Sequence, residues 1–344
     1  MGEGSRCRDD SGMMRLTGNI FKTFAVILIS SVFIGSCQKD AGVHYGDCPV
    51  VLKASVGEQT RSGIIDSDSS SRPLEDVDGI QIIRGADGDV PAFNQVQSVS
   101  ILGHIDAGSD ILVASPSQHF PLDANGVPLD EDINFLAYYP QGDSYVPGTG
   151  DSPAKVFWNL SDGLTDIIYS EPAEGNYYEN SGVGIDMNFV HALSRLRLVV
   201  VADDYDSQVT FKSVVSAKID VPDQVTMLVD KDGNATFEYG PADESQWQTI
   251  DFCKDGQKLE IGYPAAGERS LDILIPPIEG RYSFRFAFEG LGSVDKEYSV
   301  DNLPLLPGKT TVLTITVKGG VLMLLAPYVE MFEDVPVGGP IVIE

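Results

Sequence analysis

Four histidines, His44, His104, His119 and His191, are the first residues to weigh for chemistry. None belongs to an HExxH pair, and no Cys/His set has the spacing of a zinc site. The chain contains no GxxxxGK[ST] phosphate loop and no GxSxG nucleophile elbow. Its 51 Asp and Glu residues are too many and too scattered for a glycosidase pair to stand out. In "DKDGNATF" the acidic spacing approximates a calcium loop, but the Glu that closes such a loop is not in its place. The Asp232-Gly233 pair between two alternating runs predicts a tight hairpin instead. His191 leads into an apolar strand, where a hydrogen-bonded structural histidine fits better than a catalytic base. No catalytic, cofactor-binding or metal-binding residue is assigned, and the chain is not expected to be an enzyme.

One thiol does sit in a chemically telling place. "FIGSCQKD" ends an apolar run at Cys37 and then turns polar. Arg15 and Lys22 precede the run Phe24–Gly35, which has the roughly 7–15 residues of a signal-peptide core. A spanning helix needs about 20 residues, so the run is too short to cross a membrane and stay. Gly35 and Ser36 before Cys37, with Ile34 three positions ahead, resemble the lipobox of bacterial lipoproteins. There the cysteine sulfur takes a diacylglyceryl group and becomes the new N-terminus. An ordinary secretory signal with a chance cysteine is the plainer alternative. The segment before Met14 is acidic and unlike a signal's first region, so Met14 is the expected start. "QKDAG" after Cys37 resembles the polar tract that sends some lipoproteins to the cell surface. Several acyl chains hold where one is marginal, at about 0.8 kcal/mol per buried CH₂. The expected location is the outer membrane by lipid anchor, exposed at the surface.

The 344 residues suffice for two domains of ordinary size beyond the leader. A formal charge of −28 argues against nucleic acid and anionic membrane surfaces as partners, because both would repel it. With 35 Gly and 20 Pro, turns are frequent, as all-β chains require. Cys7 and Cys37 belong to the leader; whether Cys48 and Cys253 pair is left open by sequence.

From Cys48 onward short strands alternate with turns. In "CPVVLKASVG" Leu52, Ala54 and Val56 alternate with Val51, Lys53 and Ser55, the period of a half-buried strand. "GEQTRSGIIDSDSSSRPLEDVDG" then reads as a long exposed loop. "MNFVHALSRLRLVVV" could begin with a helical turn, but its β-branched end predicts strand. In "RYSFRFAFEG" Tyr282, Phe284, Phe286 and Phe288 form an inner aromatic row against Arg281, Ser283 and Arg285. Strands continue at the short spacing of an all-β sandwich.

"FLAYYP", "DIIYSEP", "MNFVHALSRLRLVV" and "LPLLPGKTTVLTITV", in that order behind a lipoprotein leader, resemble the fimbrillin family, subunits of type V pili of anaerobic Gram-negative bacteria. The likeness covers about residues 50 to 344. It implies an all-β chain of two tandem transthyretin-like β-sandwich domains without catalytic activity or cofactor. The expected division is a signal peptide over 1–36, a linker over 37–47, and domains over 48–188 and 189–344. Family members end in a Trp-containing segment; here "YVEMFEDVPVGGPIVIE" stands in that place, with Phe332 as the nearest substitute.

The resemblance further implies assembly by proteolysis. A trypsin-like protease cuts after a basic residue following the first strand, which matches Arg61, with Ser62 as the new N-terminus. Arg72 and Arg84 are rivals, although Pro73 makes Arg72 a poor site. Removing the first strand leaves an apolar groove with unpaired backbone edges that a strand from another subunit fills. Four inward side chains would contribute on the order of 6–12 kcal/mol by burial. The donor candidate lies in 319–344, with Val321, Met323, Leu325, Val329 and Met331 as the inserting row. The plain alternative is that this tail packs on its own domain. Expected partners are other fimbrial subunits, the outer membrane, the protease, and host or bacterial surface ligands. The rival to a structural and adhesive fimbrial subunit is a non-polymerising surface lipoprotein that binds glycans through Trp158 and Trp247.

Overall fold

The structure is a computed structural model and describes residues 48–56, 64–65, 71–72, 77–87, 90–262, 270–289, 296–318, 321–324 and 327–331. It is almost entirely β. The first half carries β1 (Leu52–Val56), β2 (Ile64–Ile65), β3 (Ser71–Arg72), β4 (Val77–Arg84), β5 (Ile101–Ile105) and β6 (Ile111–Ser115). It continues with β7 (Ile133–Tyr139), β8 (Ser144–Val146), β9 (Ala154–Asn159), β10 (Ile168–Ser170), β11 (Ala173–Gly175) and β12 (Ile185–His191).

Seven of these strands close on themselves in the order β10-β12-β1-β6-β5-β4-β7, and β7 returns to β10. Where alternation predicts two packed sheets with open edges, hydrogen bonding runs round a ring. The cause is local. Ile168 of β10 pairs with His191 on one side and Tyr139 on the other. Glu171-Pro172 then interrupts the strand before β11 resumes along β7 at Ala173. Proline has no N–H for the ladder, so the line bends there, and closure removes the edges an open sheet would expose. Leu52, Ile80, Ile82, Phe135, Met187 and Phe189 fill the ring. Strand β7 is buried on both faces: Ile133, Phe135 and Ala137 face the ring core, while Leu136 and Tyr138 enter a second core outside it. Hence its continuous apolar run.

The second half carries β13 (Ser194–Ala202), β14 (Ser213–Val221), β15 (Gln224–Val229), β16 (Ala235–Gly240), β17 (Gln248–Asp251) and β18 (Leu259–Glu260). After these come β19 (Ser270–Ile275), β20 (Arg281–Glu289), β21 (Lys296–Asp301), β22 (Lys309–Lys318), β23 (Val321–Leu324) and β24 (Tyr328–Met331). Two sheets, β19-β13-β22-β23 and β17-β14-β20-β21, enclose the third core. The aromatic row of β20 lies inside it, with Tyr282, Phe284, Phe286 and Phe288 all buried. "LRLVVV" is strand throughout, parallel to β22 over eight residue pairs. A fourth sheet, β16-β15-β9-β8, draws strands from both sides of the expected 188/189 boundary. The hairpin predicted at Asp232-Gly233 forms there between β15 and β16. At its tip Gly233 has φ +87, and an added Cβ would come within 2.7 Å of the Phe93 ring. Gly233→Ala is therefore expected to cost about 1–3 kcal/mol in a denaturant melt; a loss under about 0.5 kcal/mol would contradict this packing.

Alkali should loosen these cores. Burial, then the nearby Asp251, raises the Cys253 thiol from 9.0 to about 11. Burial lifts Tyr145 to about 12 and pushes Tyr138, Tyr239 and Tyr282 above the ordinary phenol value. Each group ionises earlier when unfolded, so their stabilisation is complete below about pH 9 and is lost as pH rises toward about 12. Thermal melts at about pH 8 and pH 11 should differ in that sense; equal melting points would contradict it.

Candidate assembly site

Strand β1 lies between β12 and β6. It runs parallel to β12 from Leu52↔Ile185 to Val56↔Phe189, and antiparallel to β6 at Leu52↔Leu112 and Lys53↔Ile111. On one side Val51 C=O accepts from the Ile185 N–H at 2.8 Å. On the other, Ala54 N–H donates to Asp110 C=O at 2.7 Å and Val50 N–H to Gln118 C=O at 2.8 Å. Cys48 C=O accepts from Phe120 N–H at 3.0 Å. Gly184 permits the close approach at the start of the strand: its φ is +95, and a Cβ would stand 3.2 Å from the Val51 oxygen. Taking β1 away therefore strips backbone partners from two strands at once.

The inward row is Cys48, Val50, Leu52 and Ala54. Cys48, Leu52 and Ala54 are buried and Val50 is half-buried against the ring core. The row is smaller than four full aliphatic side chains, because Ala54 brings little area. Its burial contributes on the order of 4–6 kcal/mol, below the larger expectation. Leu52→Ala is expected to cost the uncut chain about 2–4 kcal/mol in urea melts. A neutral result would place Leu52 outside the ring core.

Arg61 and Ser62 fall outside the described residues, as does Cys37. The two rival arginines are placed. Arg72 pairs with Ile64 in the small hairpin β2–β3. Arg84 ends ring strand β4, where it holds Asp87 at 2.9 Å, Gln118 Oε1 at 3.3 Å and the His119 carbonyl at 3.2 Å. It thus braces the segment that receives the start of β1.

At the other end of the chain, β23 and β24 lie antiparallel on successive stretches of β22: Lys318↔Val321 to Ile315↔Leu324, then Val312↔Tyr328 to Lys309↔Met331. The tail packs on its own domain in this state, as the edge of its sheet. Met323, Tyr328 and Val329 are exposed on that edge, at 41%, 50% and 36%. Leu322 and Leu324 are instead the positions opposite buried Val317 and Ile315. Leu325 and the side chains of Val321 and Met331 fall outside the described residues. Within its own domain the tail therefore sets Leu322 and Leu324, rather than the expected donor row, opposite the buried positions of β22.

The remaining candidates are structural. His191 Nδ1 lies 3.0 Å from Asp166 Oδ1, both side chains buried. Trp158 is buried, its indole N–H donating to the Pro140 carbonyl at 3.1 Å. Trp247 is half-buried against Tyr282 and donates to Pro241 at 3.0 Å. Trp158 therefore has no open face, whereas Trp247 keeps part of its surface exposed. Cys48 and Cys253 belong to separate cores and form no disulfide with each other. Among the described residues, no group of three or more His, Cys, Asp or Glu is placed to hold a metal ion, and no helix is long and apolar enough to cross a membrane.

No family model and no curated protein matches the sequence. Solved structures do match its fold. A "putative cell adhesion protein" of Bacteroides uniformis aligns with 83% of this chain and 98% of its own, at TM-score 0.54 and 16% identity. Another of that description, from Bacteroides ovatus, aligns over the same shares at TM-score 0.51 and 16% identity. A fimbrial protein of Bacteroides vulgatus covers 83% of this chain and 99% of its own, at TM-score 0.51 and 13% identity. The chain therefore has the all-β fold found in cell-adhesion and fimbrial proteins of Bacteroides, in keeping with its resemblance to fimbrillins.

Proposed function

We propose that this chain is a structural and adhesive subunit of a type V fimbria, exported as a lipoprotein and polymerised by strand exchange. Acylation of Cys37 anchors it to the outer membrane. A trypsin-like protease cuts between Arg61 and Ser62, β1 leaves, and the C-terminal segment of another subunit takes its place. The two halves, 48–188 and 189–344, act as tandem transthyretin-like units, and the chain performs no catalysis. The observation that carries this reading is the position of β1. An N-terminal strand sits inside a ring, bonded on both sides, and the chain then runs about 20 residues before the next ring strand. A cut in that connection frees one strand and leaves the other six in one piece. Arg84 suits the role poorly, since it ends a strand that must stay.

The test is mass spectrometry of the mature N-terminus from intact cells. Acylated Cys37 in the membrane pool and free Ser62 in the polymer are expected. Intact leader in both pools, or a polymer beginning after Arg84, would contradict the scheme.

A further inference from the structure

An apolar stripe on the outside of the ring stops at β1. Ile111 and Val113 of β6 are 43% and 40% exposed, and Leu102 of β5 is 47% exposed. They share one face, since Leu102 pairs with Ser115 and His104 with Val113. On the neighbouring strand that face carries Lys53, opposite Ile111, and exposed Ser55. Single exposed aliphatics are ordinary, but adjacent ones across two strands beside a removable third form a surface that an apolar strand would extend.

We propose that residues 320–326 of a second copy occupy the seat of β1 in one register, with Leu324 at the Leu52 position and Ala326 at the Ala54 position. This rests on the strand exchange proposed above and specifies its partner atoms. "VLMLLAP" is apolar in both rows, which suits this seat better than a solvent-facing edge. In this register Gly320, Leu322, Leu324 and Ala326 follow the inward row Cys48, Val50, Leu52 and Ala54. Outward, Leu325 replaces Lys53 beside Ile111, and Met323 falls in line with Val113. The stripe then spans three strands, and Met323, 41% exposed on β23, comes beside Val113.

Neighbouring registers fail for stated reasons. Leu324-x-Ala326 is the only Leu-x-Ala after Lys318, so it alone sets a large residue and then a small one where Leu52 and Ala54 stand. Moving the donor by one residue puts Pro327 at the Ala54 position, where the N–H that bonds Asp110 would be lost, or in the other direction puts Leu325 there, which overpacks that small site. In the proposed register Pro327 takes the place of Ser55, which pairs with β12 and not with β6, so the ladder to β6 is kept and one N–H toward β12 is given up at the strand's end. Moving by two puts Leu324 or Tyr328 into the small Ala54 site, which overpacks it.

Cysteine pairs read the register directly. Val50 and Ala54 direct their N–H groups toward the β6 side, so position 53 and Ile111 form the closer, non-hydrogen-bonded kind of pair. Its Cα separation, about 4.5 Å, lies within disulfide range. The full chain carrying Ile111→Cys and Leu325→Cys, cut with trypsin and mildly oxidised, should run as a covalent ladder on a non-reducing gel. Ile111→Cys with Leu324→Cys should give none, and neither should the uncut protein. Size exclusion under reducing conditions reports the oligomer independently of the bond. Oligomers with a ladder from Leu324→Cys, or with no ladder, would overturn the register while leaving exchange standing. A ladder from uncut protein would also overturn it, and absence of oligomers would overturn exchange and register together.

Discussion

Limited trypsin digestion is expected to turn the monomeric chain into oligomers, and truncation after Lys318 is expected to leave the cut chain monomeric. The effect should be close to all-or-none on a sizing column. Uncut, the ring is complete, and β12 and β6 have no backbone edge to offer at the β1 position. Once β1 is gone, Ile185 N–H and the carbonyls of Asp110 and Gln118 lose partners. An inward row contributing on the order of 4–6 kcal/mol also leaves the core. Restoring that row and closing both ladders at about 1 kcal/mol per hydrogen bond gives a tight union and slow dissociation. The truncated chain retains the vacant seat but has nothing to insert. Cut protein that stays monomeric at high concentration would contradict the mechanism, as would oligomers formed equally well without residues 319–344.

Asp272→Ala is expected to lower stability by about 3–5 kcal/mol, a large share of what holds a domain of this size. Asp272 on β19 faces Arg197 of β13, accepting from its Nε at 3.0 Å and Nη2 at 3.1 Å. Its second oxygen lies 3.7 Å from Arg195 Nη1, whose side chain is only 3% exposed. Burial depresses the Arg195 pKa, and the Asp272 charge opposes that depression. The alanine variant strips a carboxylate from beside a buried guanidinium, and truncating one partner of a buried ion pair costs far more than losing a surface pair. Asp272→Asn should fall between wild type and alanine. Urea melts decide the matter, and a loss below about 1 kcal/mol would mean the cluster relaxes or hydrates.

Much of this architecture was legible wherever one face of a strand is buried and the other wet. The aromatic row of β20 and the Leu52–Ala54 row of β1 follow the period of two without exception among their described side chains. Ring closure was not legible, because it depends on Ile168 bonding to two strands that come from distant parts of the chain. The joint sheet of β9 and β15 was hidden for the same reason: alternation shows that a strand has a buried face, not which partner buries it. The tryptophans left two readings open, because large aromatics with one polar atom suit both a glycan platform and a core edge. Backbone carbonyls of Pro140 and Pro241 take up the indole N–H groups here. The tail was ambiguous for another reason. Its two rows are both apolar, so composition gave no inner face, and only pairing with Ile315 and Val317 distinguished them.

Adding a synthetic peptide of residues 319–344 to chain that has been cut after Arg61 and truncated at Lys318 isolates the central claim. One peptide per chain should bind, should dissociate slowly, and should protect the amides of Ile185–Phe189 from hydrogen exchange. Uncut chain should not bind it. Equal binding to cut and uncut protein, or none to either, would contradict the account.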